Sequence, residues 1–438
     1  MSDLTISSRF DEHAIAELPE VAGFTGELRL RALAEFEAMP IPSQETEEWR
    51  YTDLSDFDLD FIPFSPGGGP EAVNRHGLLQ ATGVVGERAG LQIQRNSEVI
   101  STQLVAGLAD EGVVFGDLDL AAATHPDLVE RHLHSLVPTD RSKFLALHGA
   151  FRTGGTFLHV PDGLEIELPL QTLTYLDADG GAVFPHTLIV VGKHASVTFI
   201  DRYVSPDLTR AFSDAVTEIV VGDGARVRYA SIQDWGSGVT HLGVQRARVG
   251  RDAEIRTLAI GFGADLSRAE AETILAEPGG FSEMLGIFFA DGEQHFDHRT
   301  LQDHVAPNCQ SDLLYKGALR DHSRAVYSGW VHVRPDAQKT NAMQTSRNIV
   351  LSEHAKADAI PNLEIEANDV RCGHAASVGP VDEETVFYLQ SRGIPREDAE
   401  RLIVSGFFQE VLDRVTIDEV RLGSEAAIAR ELAGGARG

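Results

Sequence analysis

The residues best suited to chemistry are Cys372 and His374, which stand two positions apart. Residues i and i+2 of a strand point to the same side, so both side chains are expected on one face, together with the apolar Val370. A thiolate and an imidazole together suit iron or an iron–sulfur cluster. The apolar neighbours are equally consistent with Cys372 as a small core residue and His374 as a locally hydrogen-bonded one.

Cys309 is the other of the two cysteines in the chain, so a cluster with four cysteine ligands cannot be built from this chain alone. The chain therefore offers at most a partial ligand set, and another subunit would have to complete a cluster site.

A second candidate site lies in the histidine-rich stretch that contains His295, Asp297 and His298. On a strand, His295 and Asp297 would share a face as two metal ligands do. Strand spacing alone supplies only these two ligands, and a run of polar residues on a solvated surface is the simpler interpretation. A mononuclear metal enzyme is nevertheless one alternative function.

The sequence lacks the usual nucleotide-binding and nucleophile motifs. Gly192-Lys193 is followed by His194 and has no upstream glycine of a phosphate-binding loop, and no Gly-x-Ser-x-Gly motif occurs. If ATP matters to the function, a partner must hydrolyse it.

Composition limits the classes of partner. Lys and Arg total 37 against 67 for Asp and Glu, which gives a formal charge of −30 and disfavours nucleic acid or an anionic membrane. The first 15 residues do not resemble a secretory signal, and no apolar run is long enough to span a membrane. Two cysteines in 438 residues are typical of a protein from the reducing cytoplasm.

The elements that must position these residues fall into three regions. Residues 1–150 form an N-terminal helical and mixed region, in which Ala14 to Ala38 is expected to be helical and a further helix is expected around 127–136. Residues 151–380 form a β-rich core. Residues 381–438 form a C-terminal helical region, where Asp382 begins a helix, Gly393 ends it, Pro395 precedes a second helix, and a third follows Ser424.

The core contains a recurrent unit of two apolar residues, a short turn, a small residue and another strand. The small residues Ala195, Ala225 and Ala253 lie 30 and 28 residues apart, whereas later units are more closely spaced. A near-fixed period of strands and turns predicts a parallel β-solenoid, with a large β-sandwich as the alternative. The helical ends are expected to cap the solenoid, although the apolar stripe of the C-terminal helices could also receive another protein.

The stretch from Gln302 to Glu410 resembles the SufB/SufD family of iron–sulfur cluster assembly scaffold proteins, and within it the SufD branch. The resemblance is carried by Gln344 to Asn348, Pro361 to Ile365, Cys372-Gly373-His374 and the run from Phe387 to Gly393. Leu389 occupies the position where the SufB branch is expected to carry a cysteine.

The resemblance implies a right-handed parallel β-helix flanked by helical ends, acting as a non-catalytic scaffold. It implies a heterodimer with SufB, or a homodimer of the isolated chain, and a transient iron–sulfur cluster formed at the SufB interface near His374. A flavin is a further candidate cofactor of the complex. The ATPase SufC would bind the C-terminal helices, for which the candidate contacts are Phe387, Tyr388, Arg392, Phe407 and Phe408. A β-helix polysaccharide lyase or hydrolase is the alternative from the enzyme class.

Overall fold

The computed structural model describes residues 9–21, 23–68, 79 and 86–433. Two sheets of ten strands each form the centre of the fold. Sheet 1 consists, in spatial order, of β2 (Glu98–Leu104), β1 (Gly90–Arg95), β5 (Leu170–Tyr175), β8 (Ser196–Val204), β10 (Arg226–Asp234), β12 (Glu254–Gly261), β14 (Phe281–Ala290), β16 (Gln310–Leu319), β18 (Asn341–Val350) and β20 (Arg371–Pro380).

Sheet 2 consists, in spatial order, of β19 (Lys356–Ile365), β17 (Arg324–Val333), β15 (His295–His304), β13 (Leu266–Leu275), β11 (Val239–Val249), β9 (Ala211–Val221), β7 (His186–Val191), β4 (Thr156–Val160) and β3 (Val114–Asp117), with the short β6 (Ala182–Val183) beside β9. The chain alternates between the sheets, and all strand pairs are parallel except β1–β2 and β3–β4. The structure thus confirms the predicted β-solenoid, with about eight turns.

The predicted repeat corresponds to one coil. Ser196, Arg226 and Glu254 are register partners in β8, β10 and β12, and the small residue before each of them is buried in the core between the sheets. The later units are more closely spaced because they come from both corners of the coil. Residues 319–325 and 351–357 turn from sheet 1 to sheet 2, whereas residues 333–339 turn from sheet 2 to sheet 1.

The corner turns stack so closely that a side chain is excluded at Gly222. A Cβ atom there would lie 2.8 Å from the carbonyl carbon of Gly192 in the coil below. Glycine is therefore required at this corner, which explains why it follows the apolar pair in both Val190-Val191-Gly192 and Val220-Val221-Gly222.

The N-terminal helices cover the outer face of sheet 2. They are α1 (Glu12–Glu17), α2 (Phe24–Ala38), α3 (Leu118–Thr124), α4 (Pro126–His132) and α5 (Lys143–Phe151). The stretch from Ala14 to Ala38, which was predicted to be helical, is divided into two helices: Leu18 is extended before Pro19, and Gly23 has a φ of 60°. Strands β1, β2 and β3 also lie in the region that was expected to be helical and mixed, and β1 pairs in parallel with β5.

The C-terminal helices are α6 (Glu383–Ser391), α7 (Arg396–Leu412) and α8 (Asp418–Leu432). Asp382 caps α6 and Gly393, with a φ of 87°, follows its end, as predicted, whereas α8 begins six residues before Ser424. The expectation that α7 and α8 cap the end of the solenoid was wrong. Val404, Phe408 and Ile428 pack on Ile232, Leu258, Leu285 and Leu314, so α7 and α8 lie on the outer face of sheet 1.

No helix in the described parts of the chain combines the length and apolar character needed to cross a membrane.

Candidate functional site

The last coil of the solenoid is exposed at its end. Strand β20 is the terminal strand of sheet 1 and β19 the terminal strand of sheet 2, and each pairs with only one other strand in the described parts of the chain. Most residues of β20 are exposed and none of β19 is fully buried. Backbone N–H and C=O groups along such edges are free to pair with another chain.

Cys372 and His374 lie on β20 at this end. Their register partners on β18 are Ala342 and Gln344, whose side chains are buried between the sheets. Cys372 is half-buried and packs on the interior cluster that contains Ala342 and Val331, whereas His374 is exposed. The two side chains therefore lie at the rim of the space between the sheets.

The protonation state of Cys372 limits what the isolated chain can do. Burial raises the pKa of this thiol above its usual value, so the sulfur is protonated at neutral pH, whereas metals bind the thiolate. Cys309 cannot assist, because it lies just before β16, about 10 Å or two strand spacings away, and its Sγ donates to the carbonyl of Glu277 at 3.3 Å. The geometry thus offers one thiol and one imidazole.

Polar groups continue inward from His374. The Gln344 side chain is buried beneath it and donates from Nε2 to the Tyr327 hydroxyl at 2.9 Å. The Oε1 atom of Gln344 and the Oγ of Ser346 are buried without a hydrogen-bond partner within the described residues. These two residues were not placed in the candidate site from the sequence, although alternation along β18 would have put both on the inner face.

His295, Asp297 and His298 are not arranged as the candidate metal site of the sequence analysis requires. His295 and Asp297 do share the outer face of β15, where Thr52 Oγ1 donates to Asp297 Oδ2 at 2.7 Å. Arg268 and Arg299 also contact this carboxylate, at 3.7 and 3.3 Å. The two guanidinium groups neutralise the negative charge of the Asp297 carboxylate, which would otherwise attract a metal ion.

His298 faces the opposite side of β15, where its ring centroid lies 4.6 Å from that of Phe288. The side chains of His295, Asp297 and His298 therefore do not converge, which corrects the hypothesis of a three-residue site.

The candidate partner residues on the C-terminal helices divide into two groups. Phe387 and Tyr388 are 72% and 54% exposed, Arg392 lies over the Tyr388 ring, and Phe407 is half-buried. Phe408 is 0% exposed and packs against sheet 1, so its proposed contact with a partner is wrong. The spacing of apolar residues along the C-terminal helices predicted an apolar face. It did not show which aromatic ring on that face is buried within the chain itself.

Comparison with known proteins assigns the chain to a family. Residues 174–407 match the model described as SUF system FeS cluster assembly, SufBD core domain, and residues 20–172 match the SufBD protein N-terminal region. The iron–sulfur cluster assembly protein SufD of Bacillus subtilis is 34% identical over 92% of this chain and 93% of its own length.

Two further relatives show the same relationship. An iron–sulfur cluster assembly SufBD family protein of Mycobacterium leprae is 32% identical over 92% of this chain and 94% of its own length. SufB of Bacillus subtilis is 30% identical over 90% of this chain and 86% of its own length. The chain, with its β-solenoid and helical flanks, belongs to the SufBD family of iron–sulfur cluster assembly proteins.

Proposed function

We propose that this chain is a SufD-type scaffold subunit that pairs with SufB through the last coil of its solenoid. The observation that carries the proposal is the exposed end formed by β19 and β20, with Cys372 and His374 at its rim. Leu389 supports the SufD assignment, because the SufB branch is expected to carry a cysteine there.

The exposed end suits a protein partner. An incoming strand can pair with β19 or β20 and extend either sheet, which is the usual way that an open edge recognises another chain. Four exposed large apolar residues lie on the last four strands, namely Trp330, Met343, Ile365 and Val378. Ile365 and Val378 lie on the two terminal strands themselves, where a partner that pairs with either edge would cover them.

The cluster would be shared between the subunits. Cys372 and His374 supply at most two ligands, and iron–sulfur clusters need more. Iron near the Cys372 sulfur stabilises the thiolate and reverses the effect of burial on its pKa. An incomplete ligand set also suits a scaffold that must release its cluster to another protein.

The C-terminal helices provide a separate surface for the ATPase SufC. Phe387, Tyr388 and Arg392 form an exposed aromatic and cationic group on and just after α6, the kind of residues enriched at interfaces. ATP hydrolysis is then the partner's activity and the chain itself is not an enzyme. Its compartment is the cytoplasm, where thiols such as Cys309 and Cys372 remain reduced.

The test is co-expression with SufB and SufC. We expect a stable complex from the unmodified chain, and for His374→Ala an intact complex with at least about tenfold lower cluster yield, measured by iron and sulfide content and visible absorption. His322→Ala is the matched control, since His322 is an exposed histidine at a corner turn away from the rim. A failure to form the complex would refute the subunit assignment, and an unaltered yield would remove His374 from cluster formation.

A further inference from the structure

Three histidines from three different elements meet beneath the N-terminal helices. His134 lies in the loop after α4, His148 on α5 and His186 at the start of β7. One ring nitrogen from each lies within 4.8 Å of one from each of the others, and among the described residues this is the one such group of three potential metal ligands. All three side chains are buried.

The second nitrogen of each ring is already bound to an acceptor. His134 Nδ1 donates to the carbonyl of Val137 at 3.0 Å, and His148 Nδ1 donates to the carbonyl of Asp214 at 2.8 Å. His186 Nε2 lies 3.2 Å from a carboxylate oxygen of Glu218. Metal-binding histidines almost always have such a partner on the other nitrogen, because it fixes the tautomer and the ring orientation.

The remaining nitrogens converge on one another. They are His134 Nε2, which is buried without a partner among the described residues, and His148 Nε2 and His186 Nδ1, which lie 3.1 Å apart. If His186 carries its proton on Nε2, to donate to Glu218, all three converging nitrogens present lone pairs. A neutral imidazole has one protonated nitrogen, which donates, and one bare nitrogen, whose lone pair can bind a metal ion.

The arrangement is incomplete as a network of hydrogen bonds alone. When His186 Nδ1 donates to His148, the Nε2 of His186 is a bare acceptor facing Glu218. That carboxyl group also accepts the backbone N–H groups of His134, Leu136 and Val137, at 2.6, 2.6 and 3.0 Å. Glu218 must then be protonated in order to donate to His186 Nε2, and His134 Nε2 still has no partner among the described residues.

We propose that His134, His148 and His186 bind one divalent transition-metal ion of the zinc type, with Glu218 orienting His186. Three neutral imidazoles suit zinc and its neighbours, and the buried carboxylate offsets part of the ionic charge. Zinc–nitrogen bonds of about 2.0–2.1 Å in tetrahedral geometry place the nitrogens about 3.4 Å apart. His134 would make the largest adjustment, because it lies in a loop whereas the other two are held in a helix and a strand.

The ion would join the N-terminal region to the solenoid, since one ligand comes from a loop, one from α5 and one from sheet 2. This site lies outside the proposed cluster-assembly end and is independent of the proposed function. Its expected role is structural: binding should raise the temperature of unfolding.

The test uses the full chain without an affinity tag, produced in defined medium with Zn²⁺ or Co²⁺ and freed of loose metal by a chelator. Surface binding is first removed with His322→Ala and His354→Ala, because these exposed rings stack with centroids 4.9 Å apart. We expect about one ion per chain, a visible Co²⁺ spectrum of nitrogen-rich tetrahedral type, and a metal-dependent rise in the unfolding temperature.

His134→Phe should abolish metal binding, whereas His241→Phe, which changes a buried histidine outside the cluster, should retain it. His186→Gln is a second variant in case the first fails to fold. A folded parent chain with no stoichiometric metal and no tetrahedral Co²⁺ spectrum would overturn the proposal without any variant, and so would full metal binding by folded His134→Phe.

Discussion

His374 on β20 is the register partner of Gln344 on β18, so an exposed imidazole lies next to a buried amide in the adjacent strand. The amide oxygen of Gln344 has no partner within the described residues. At the rim of the solenoid, the His374 imidazole is therefore a potential ligand. The Gln344 amide beside it has an oxygen that can still accept a hydrogen bond.

Gln344→Leu tests this relationship. The substitution removes an unsatisfied oxygen and one hydrogen bond to Tyr327, whose hydroxyl keeps its contact with Thr300 at 2.8 Å. We expect the free energy of unfolding to change by no more than about 1 kcal/mol, because the two effects oppose each other. The cluster yield of the complex should fall. An unchanged yield, with stability preserved, would show that the amide plays no part.

The open edge should be sensitive to charge. Val378→Lys places an ammonium group on β20 and should weaken association with SufB at least about tenfold, measured by titration calorimetry. Since Val378 is exposed, the stability of the isolated chain should change by less than about 0.5 kcal/mol. Val105→Lys, at an exposed position just after β2, is the control and should leave association intact. Equal effects of the two variants would contradict a role for this edge.

The two aromatic residues on the C-terminal helices should separate binding from stability. Phe387→Ala removes a ring that is 72% exposed, and should lower affinity for SufC with little change in unfolding. Phe408→Ala should destabilise the chain by about 3–5 kcal/mol, because it leaves a cavity against sheet 1. Leu422→Ala, an exposed residue of α8, serves as control. Normal SufC binding by Phe387→Ala would exclude this surface.

His298 should make the fold sensitive to acid. Burial lowers its pKa from 6.5 to about 4, so the unfolded chain binds a proton more readily than the folded chain between these values. The stability that the neutral ring contributes is present above pH 6.5 and is lost as the pH falls towards 4. His298→Phe keeps a ring beside Phe288 and should reduce the loss of stability between pH 7 and 5 in urea unfolding. An unchanged pH dependence would contradict this assignment.

The two cysteines should differ in reactivity. Cys372 is half-buried and Cys309 is fully buried, and burial raises the pKa values of both thiols. A thiol reagent should therefore modify one residue slowly in the native chain, faster at higher pH, and two after unfolding. Cys372→Ser should abolish the native reaction. Pairing with SufB should protect Cys372 if the rim is the interface.

The solenoid could be predicted because every coil repeats the same physical requirement. A small residue such as Ala225 must follow each tight corner, and the spacing to Ala253 equals the length of one coil. The shared face of Cys372 and His374 followed from strand alternation. Such local rules depend only on neighbouring residues, which a sequence displays directly.

Long-range placement was not predictable in the same way. The stripe on α7 shows which face is buried but not that sheet 1 covers it, so both the capping role and the contact assigned to Phe408 were wrong. The histidine cluster was not predicted, for a similar reason. His134, His148 and His186 are 14 and 38 residues apart and come from a loop, a helix and a strand, so only the fold brings them together.

The position of α7 and α8 on sheet 1 has a consequence for synthesis on the ribosome. Ile200 and Ile232 emerge early, yet residues that cover them, such as Ile428, are made about 200 residues later. At about 5–20 residues per second, the 228 residues between Ile200 and Ile428 take roughly 10–50 s to translate. During that interval the nascent chain presents an uncovered apolar surface on sheet 1, to which a chaperone can bind until α7 and α8 have been made.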